Sequence, residues 1–135
     1  METLKISTDK ATLDVDFIHQ FLTQQYWALG RTRKEVQTTM EHCVCFGLFL
    51  DGNQIGFARV LTDFAVFAYL MDVFVVEAER GKGYANTLLE YVFHYPAFAL
   101  VPHWKLTTAD AHGLYAKFGF VPLAHPAKLM ERLIR

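Results

Sequence analysis

Six consecutive residues, Arg80-Gly81-Lys82-Gly83-Tyr84-Ala85, have the types and spacing to hold an anion. They follow an apolar run, Tyr69 to Val76, that predicts a buried strand. They precede a run, Ala85 to Tyr95, that predicts a helix. The first N–H groups of a helix have no intrahelical acceptor, and the helix dipole places partial positive charge there. Gly81 and Gly83 allow the backbone to come close to a phosphate. Arg80 and Lys82 add cationic donors. The predicted ligand is therefore a phosphate or pyrophosphate. Spacing argues against two common classes. A dinucleotide fingerprint needs a third glycine where Asn86 stands, and no G-x-x-x-x-G-K-[ST] loop is present.

The pattern that remains, R-x-x-G-x-A over Arg80 to Ala85, resembles the acetyl-CoA pyrophosphate loop of the GNAT N-acetyltransferase superfamily, Q/R-x-x-G-x-G/A. A second segment, Leu114-Tyr115-Ala116-Lys117-Phe118-Gly119-Phe120, resembles the later helix-to-strand motif of that superfamily, L-Y-x-K-x-G-F. Ala111 matches a small residue common four positions before the tyrosine. Thr108 stands where the superfamily often has Asn.

The resemblance implies an acetyl-CoA-dependent N-acetyltransferase that moves the acetyl group to a primary amine by direct attack, without an acyl-enzyme. A non-catalytic acyl-CoA-binding or regulatory module of the same fold is the alternative. It implies pyrophosphate contacts from Gly81, Lys82, Gly83, Tyr84 and Ala85, with Arg80 beside them. It also implies backbone pairing of Phe74, Val75 and Val76 with the pantetheine arm. It places the Tyr115 hydroxyl near the cofactor sulfur, where a phenol can protonate a departing thiolate. The loop between the first two helices commonly lines the acceptor pocket in this superfamily, which makes Tyr26 and Trp27 substrate-wall candidates. A homodimer is a common assembly for such domains.

Asp72 is the one charge inside the apolar strand. A buried carboxylate must be paired, hydrogen-bonded or turned to a cleft. It is a candidate for binding the acceptor ammonium or for base catalysis through water, and equally for a structural ion pair. Strand alternation groups it with Leu70, Phe74 and Val76. Arg59 and Asp63 flank the end of a strand and are candidates for binding a substrate, each other or Asp72. Asp110 reads as a partner of a helix dipole, and His112 as a candidate proton relay.

These residues need elements to position them. Leu4 to Ser7, Val44 to Leu50, Gln54 to Leu61, the run ending at Val76, Trp104 to Thr107, Phe120-Val121 and Leu129 to Ile134 read as strands. Asp51-Gly52-Asn53 reads as a hairpin turn. Helices are predicted after a cap at Thr12 or Asp14, within Arg31 to His42, from Ala85 to Tyr95 and from Ala109 to Phe118, with Pro96 closing the third and Gly119 capping the fourth. The order β-α-α-β-β-β-α-β-α-β-β predicts an α/β fold, and its agreement with the superfamily implies a strongly bent mixed sheet with helices on both faces.

A chain of 135 residues makes one domain, 1–135, able to bury roughly two-thirds of its unfolded surface. At 53% hydrophobic and 15% aromatic it is not disordered. A formal net charge of −1, without a long basic run, argues against a nucleic-acid partner. Cys43 and Cys45 are too close in sequence for an unstrained disulfide, and no Cys/His cluster has zinc spacing, so no metal is expected. Reduced thiols and a start unlike a signal peptide point to the cytoplasm. The apolar stretch Ala65 to Met71 is too short to cross a membrane.

Overall fold

A computed structural model describes residues 2–134. β1 (Leu4–Ser7) pairs with β2 (Val44–Leu50), and β2 with β3 (Asn53–Thr62), all antiparallel. The β2–β3 hairpin turns at Asp51 and Gly52, both at positive φ, as a two-residue primed turn requires. β4 (Phe67–Val75) continues the antiparallel order, and β5 (His103–Leu106) joins it in parallel. The mixed sheet runs β1-β2-β3-β4-β5.

α1 (Val15–Leu22) begins at Asp14, whose carboxylate accepts from the Phe17 N–H at 3.0 Å. α2 (Arg33–His42) begins with a reciprocal capping box between Thr32 and Glu35. Ile18, Leu22, Val36 and Met40 from these helices form one core with Cys45, Phe57 and Phe74. On the other face, α3 (Tyr84–Phe93) and α4 (His112–Ala116) contribute Leu88, Leu89, Val92 and Tyr115 to a core with Phe46, Leu48, Val60 and Leu70. Helices therefore cover both faces of a mixed sheet, the expected α/β architecture.

Three expectations are corrected. Neither Phe120-Val121 nor Leu129–Ile134 forms a strand, and among the described residues none follows β5. Apolar content alone does not make a strand without an edge to pair with. Phe120 instead packs into the core, while Leu129, Met130, Leu133 and Ile134 are exposed. α4 is shorter than predicted because the Thr108 hydroxyl accepts from the Ala111 N–H, turning the chain before the helix starts. Asp110 consequently precedes the helix and is not in its first turn. Gly119, at φ +90°, ends the helix as predicted.

The third correction concerns Asp72. Phe57 pairs with Phe74 and Arg59 with Met71, so Ala58 alone faces both Asp72 and Val73. This is a β-bulge, with Asp72 at φ +55°. The extra residue breaks the alternation: Leu70 packs with α3 and α4, whereas Phe74 packs with α1 and α2. Asp72 does not share a face with Leu70.

Candidate active site

β5 pairs with β4 only from Phe67 to Leu70. Beyond that point, among the described residues, the β5-side edge of β4 has no strand beside it, through Asp72 and Phe74 to Val75. That uncovered edge leads through Val76 and a single 3-10 turn, Glu77–Glu79, into the glycine loop. The chain therefore delivers an unpaired strand edge and a helix N-terminus in continuous sequence.

Gly81 and Gly83 both take positive φ, +79° and +82°. Gly83 is the N-cap of α3, so the loop can enter the helix only through a left-handed residue. A Cβ built on either glycine meets no atom within 4 Å, so what it would fill is open space in front of the loop. Among the described residues, the N–H groups of Gly81, Lys82, Gly83, Tyr84 and Ala85 donate to no backbone or side-chain acceptor. Five free donors around an open concave turn fit a pyrophosphate. The cations are arranged differently from the sequence expectation. Arg80 Nε donates to the Val75 carbonyl at 2.9 Å, tying the loop to the end of β4. Lys82 pairs with Glu79 at 3.0 Å, which holds its pKa above the ordinary lysine value. Tyr84 donates its hydroxyl to Glu2.

Tyr115 lies on α4, its ring packed edge-on against Phe120 and 9% of the residue exposed. Its hydroxyl has no hydrogen-bond partner among the described residues. Burial, with lesser contributions from Asp110 and Tyr26, pushes its pKa up to about 12. The phenol is thus fully protonated at neutral pH.

The α1–α2 loop is the acceptor-side wall of the sequence reading. It is fixed by backbone bonds from Ala28 to Gln25, Gly30 to Thr23 and Arg31 to Ala28. Tyr26 and Trp27 meet edge to face, both partly exposed, around a concavity of about 460 Å³ that Arg31 and Glu35 also line. Behind two of the lining residues, Trp27 and Arg31, is Asp72, whose side chain is 2% exposed. Its carboxylate accepts from Trp27 Nε1 at 3.1 Å, Arg31 at 2.8 Å and Arg59 Nε at 2.9 Å. Arg59 is buried, with its remaining nitrogens on Cys43 and Met71 sulfurs. Burial works against its charge, but Asp72 and Cys43 outweigh that and raise its pKa.

The structure therefore gathers Trp27, Arg59 and Asp72 into one cluster. The Asp72–Arg59 pair is the structural alternative the sequence offered. Each nitrogen of Arg59 already donates once, and its side chain is only 8% exposed, so it is not turned toward a substrate. Asp63 is elsewhere, its carboxylate accepting from the N–H groups of Ala65, Val66 and Phe67. Arg31 is the residue that sequence reading missed. No local signal in the sequence marks it, because it lies 41 residues from Asp72 and is brought in only by the packed loop.

Residues 41–122 match the family model described as an acetyltransferase (GNAT) domain. A protein from Gibberella zeae, named "Putative acetyltransferase", is 27% identical over 83% of this chain and 75% of its own length. A crystal structure from Xanthomonas campestris pv. campestris, described as a putative GNAT-family acetyltransferase, is 44% identical with a TM-score of 0.94, covering 98% of this chain and 94% of that one. A Clostridium acetobutylicum protein described as a predicted acetyltransferase with acetyl-CoA shares the fold at 15% identity and a TM-score of 0.71, covering 99% of this chain and 97% of that one. The family match spans more than half the chain and contains both the glycine loop and the Tyr115 helix: the chain belongs to the GNAT acetyltransferase family.

Proposed function

We propose that this protein transfers an acetyl group from acetyl-CoA to a primary amine, small-molecule or peptide, by direct attack. The observation that carries the reading is the row of unpartnered N–H groups from Gly81 to Ala85, opening on the uncovered edge of β4. The Gly81–Ala85 backbone would hold the pyrophosphate, and the free edge through Phe74, Val75 and Val76 the pantetheine arm. Acetyl-CoA, bound in the Clostridium relative according to its description, supplies the acetyl group as an activated thioester.

The protein's own part is mainly orientation and proton placement. The acceptor must react as free amine, so its ammonium proton has to leave. Asp72 is buried and accepts from three donors, two of them cationic, so we assign it to holding the acceptor wall rather than to taking that proton, and an ordered water is the simplest base. Tyr115 keeps its proton until a thiolate needs it. Cys43 and Cys45 are free but buried, which agrees with direct attack in a reducing cytoplasm. Among the described residues no helix is long and apolar enough to cross a membrane. The exposed apolar residues Leu129, Met130, Leu133 and Ile134 support a homodimer. Sedimentation showing only a 15.5 kDa species would remove it.

The decisive experiment measures CoA thiol release over a panel of primary amines, beside calorimetric titration of acetyl-CoA. Saturable binding with amine-dependent thiol release is expected. Binding without release from any amine would favour the non-catalytic acyl-CoA module, and no binding would overturn both.

A further inference from the structure

Two guanidiniums share one carboxylate beneath the acceptor wall. Arg59 is complete: Nε donates to Asp72, and its other nitrogens lie on Cys43 and Met71. Arg31 is not. Only one terminal nitrogen is used, on Asp72, and that is its one ion pair among the described residues. Its Nε and second terminal nitrogen form the fork that fits a carboxylate, and neither meets an acceptor.

Charge agrees with this geometry. Arg31, Arg59 and Asp72 sum to one positive charge. Arg59 is sealed at 8% side-chain exposure, while Arg31, at 21%, lines the concavity beside Tyr26 and Trp27. The charge of this cluster therefore reaches solvent at Arg31. Glu35, on the same wall, brings a carboxylate of its own that accepts from the Thr32 backbone N–H, so recognition of an acid here rests on the geometry of the fork and not on net charge. The Arg31 guanidinium is also pre-positioned, because Asp72 and the loop bonds fix it before any ligand arrives. Neither free donor is buried, so both are open to an incoming oxyanion, which the fork can hold at two points.

We propose that Arg31 is a specificity-determining residue, whose free fork receives a carboxylate on the acceptor, so that the preferred substrate is an amine that also bears a carboxylate. This rests on the acetyltransferase reading and narrows it. Tyr26 and Trp27 then flank the body of the acceptor.

The test uses glycine, β-alanine, L-phenylalanine and L-glutamate, each beside its amide, with O-phosphoethanolamine as the phosphate counterpart. In wild type, kcat/KM for at least one acid should exceed that of its amide by about tenfold or more. In Arg31→Gln, KM for that acid should rise roughly ten- to a hundredfold with a smaller change in kcat, and the acid-to-amide ratio should fall toward one. Arg31→Lys should recover part of the ratio, since it restores charge but not the fork. Acids no better than their amides, or an equal rise of both KM values in Arg31→Gln, would overturn the proposal. A clear preference for O-phosphoethanolamine would overturn the carboxylate. Calorimetric binding of the same acids to CoA-loaded protein separates the two readings. Binding lost in Arg31→Gln, with no turnover of any amine, would sink the acetyltransferase and keep the carboxylate site. Absence of both binding and turnover for every acid would overturn this inference. Should Arg31→Gln fail to fold, the wild-type ratio alone decides.

Discussion

Tyr115 and Asp72 are both buried and both ionisable, yet their surroundings fit them to different work. Tyr115 has no partner for its hydroxyl and an apolar setting, so its proton is retained up to about pH 12. The phenol therefore still carries its proton at neutral pH and can offer it to the sulfur as the bond to the acyl carbon breaks. Tyr115→Phe keeps the ring and loses the proton. We expect kcat to fall roughly 10²- to 10⁴-fold, with acetyl-CoA affinity unchanged. Unaltered turnover would leave Tyr115 a packing residue. Asp72 is the opposite case, a carboxylate fixed by three donors. Asp72→Asn keeps the shape, and Asn tolerates the left-handed backbone there. It leaves the Arg59 guanidinium buried without a counter-charge, which should cost roughly 3–5 kcal/mol of stability. A large fall in urea midpoint with near-normal kcat in the folded fraction is the expected pair of results. Normal stability with kcat collapsed would instead make Asp72 the catalytic base. Of its partners, Arg59 was legible because it lies 13 residues away on the adjacent strand. Trp27 and Arg31 are 45 and 41 residues away, and only the packed loop brings them in.

Elements with local signals were readable within a few residues. Leu4–Ser7 and Val44–Leu50 coincide with prediction, Asp14 caps α1, and Asp51-Gly52 turns the hairpin. What could not be read was anything decided by a partner. The bulge at Asp72 depends on how β3 pairs, so alternation along β4 alone misassigned its faces. The two C-terminal strands fail for the same reason, as strand-like sequence needs an edge. The glycine loop was legible as an anion site, but its cations were not, since Arg80 turns back to Val75 and Lys82 to Glu79. Backbone N–H groups therefore carry the binding role at this scale, and the loop's shape matters more than its side chains. Gly83→Ala places a methyl in the open space before the loop, and Gly83→Val adds branching at φ +82°. Acetyl-CoA affinity should drop at least about tenfold in Ala and further in Val. Val should also lose about 1–3 kcal/mol of stability from backbone strain, with a native circular-dichroism spectrum in both. Affinity equal to wild type in the folded variants would remove the loop from the cofactor site.

The whole molecule is a sheet between two cores, and the core under α1 and α2 supports the acceptor wall. Phe74 stacks on Phe21 there, and Cys45 sits beside them, 1% exposed. Burial, with Cys43 nearby, pushes the Cys45 thiol up to about 12 from an ordinary 9.0. The sign of the consequence follows from proton counts. Below pH 9 the thiol is protonated in both folded and unfolded chains, and this group adds no pH dependence. Between about pH 9 and 12 the unfolded chain has lost the proton and the native one retains it, so stability falls as pH rises. One proton corresponds to a slope of about 1.4 kcal/mol per pH unit. Tyr115 adds a second loss that begins only near its ordinary 10.0. Cys45→Ala removes the first contribution and leaves the second. Urea denaturation of both proteins at half-unit steps from pH 8 to 10.5 should give parallel lines up to about pH 9. Above that the wild type should fall the more steeply, by about 1.4 kcal/mol per pH unit. Lines that remain parallel to pH 10.5 would mean that Cys45 ionises in the native protein as readily as in the unfolded one, and that this core admits water.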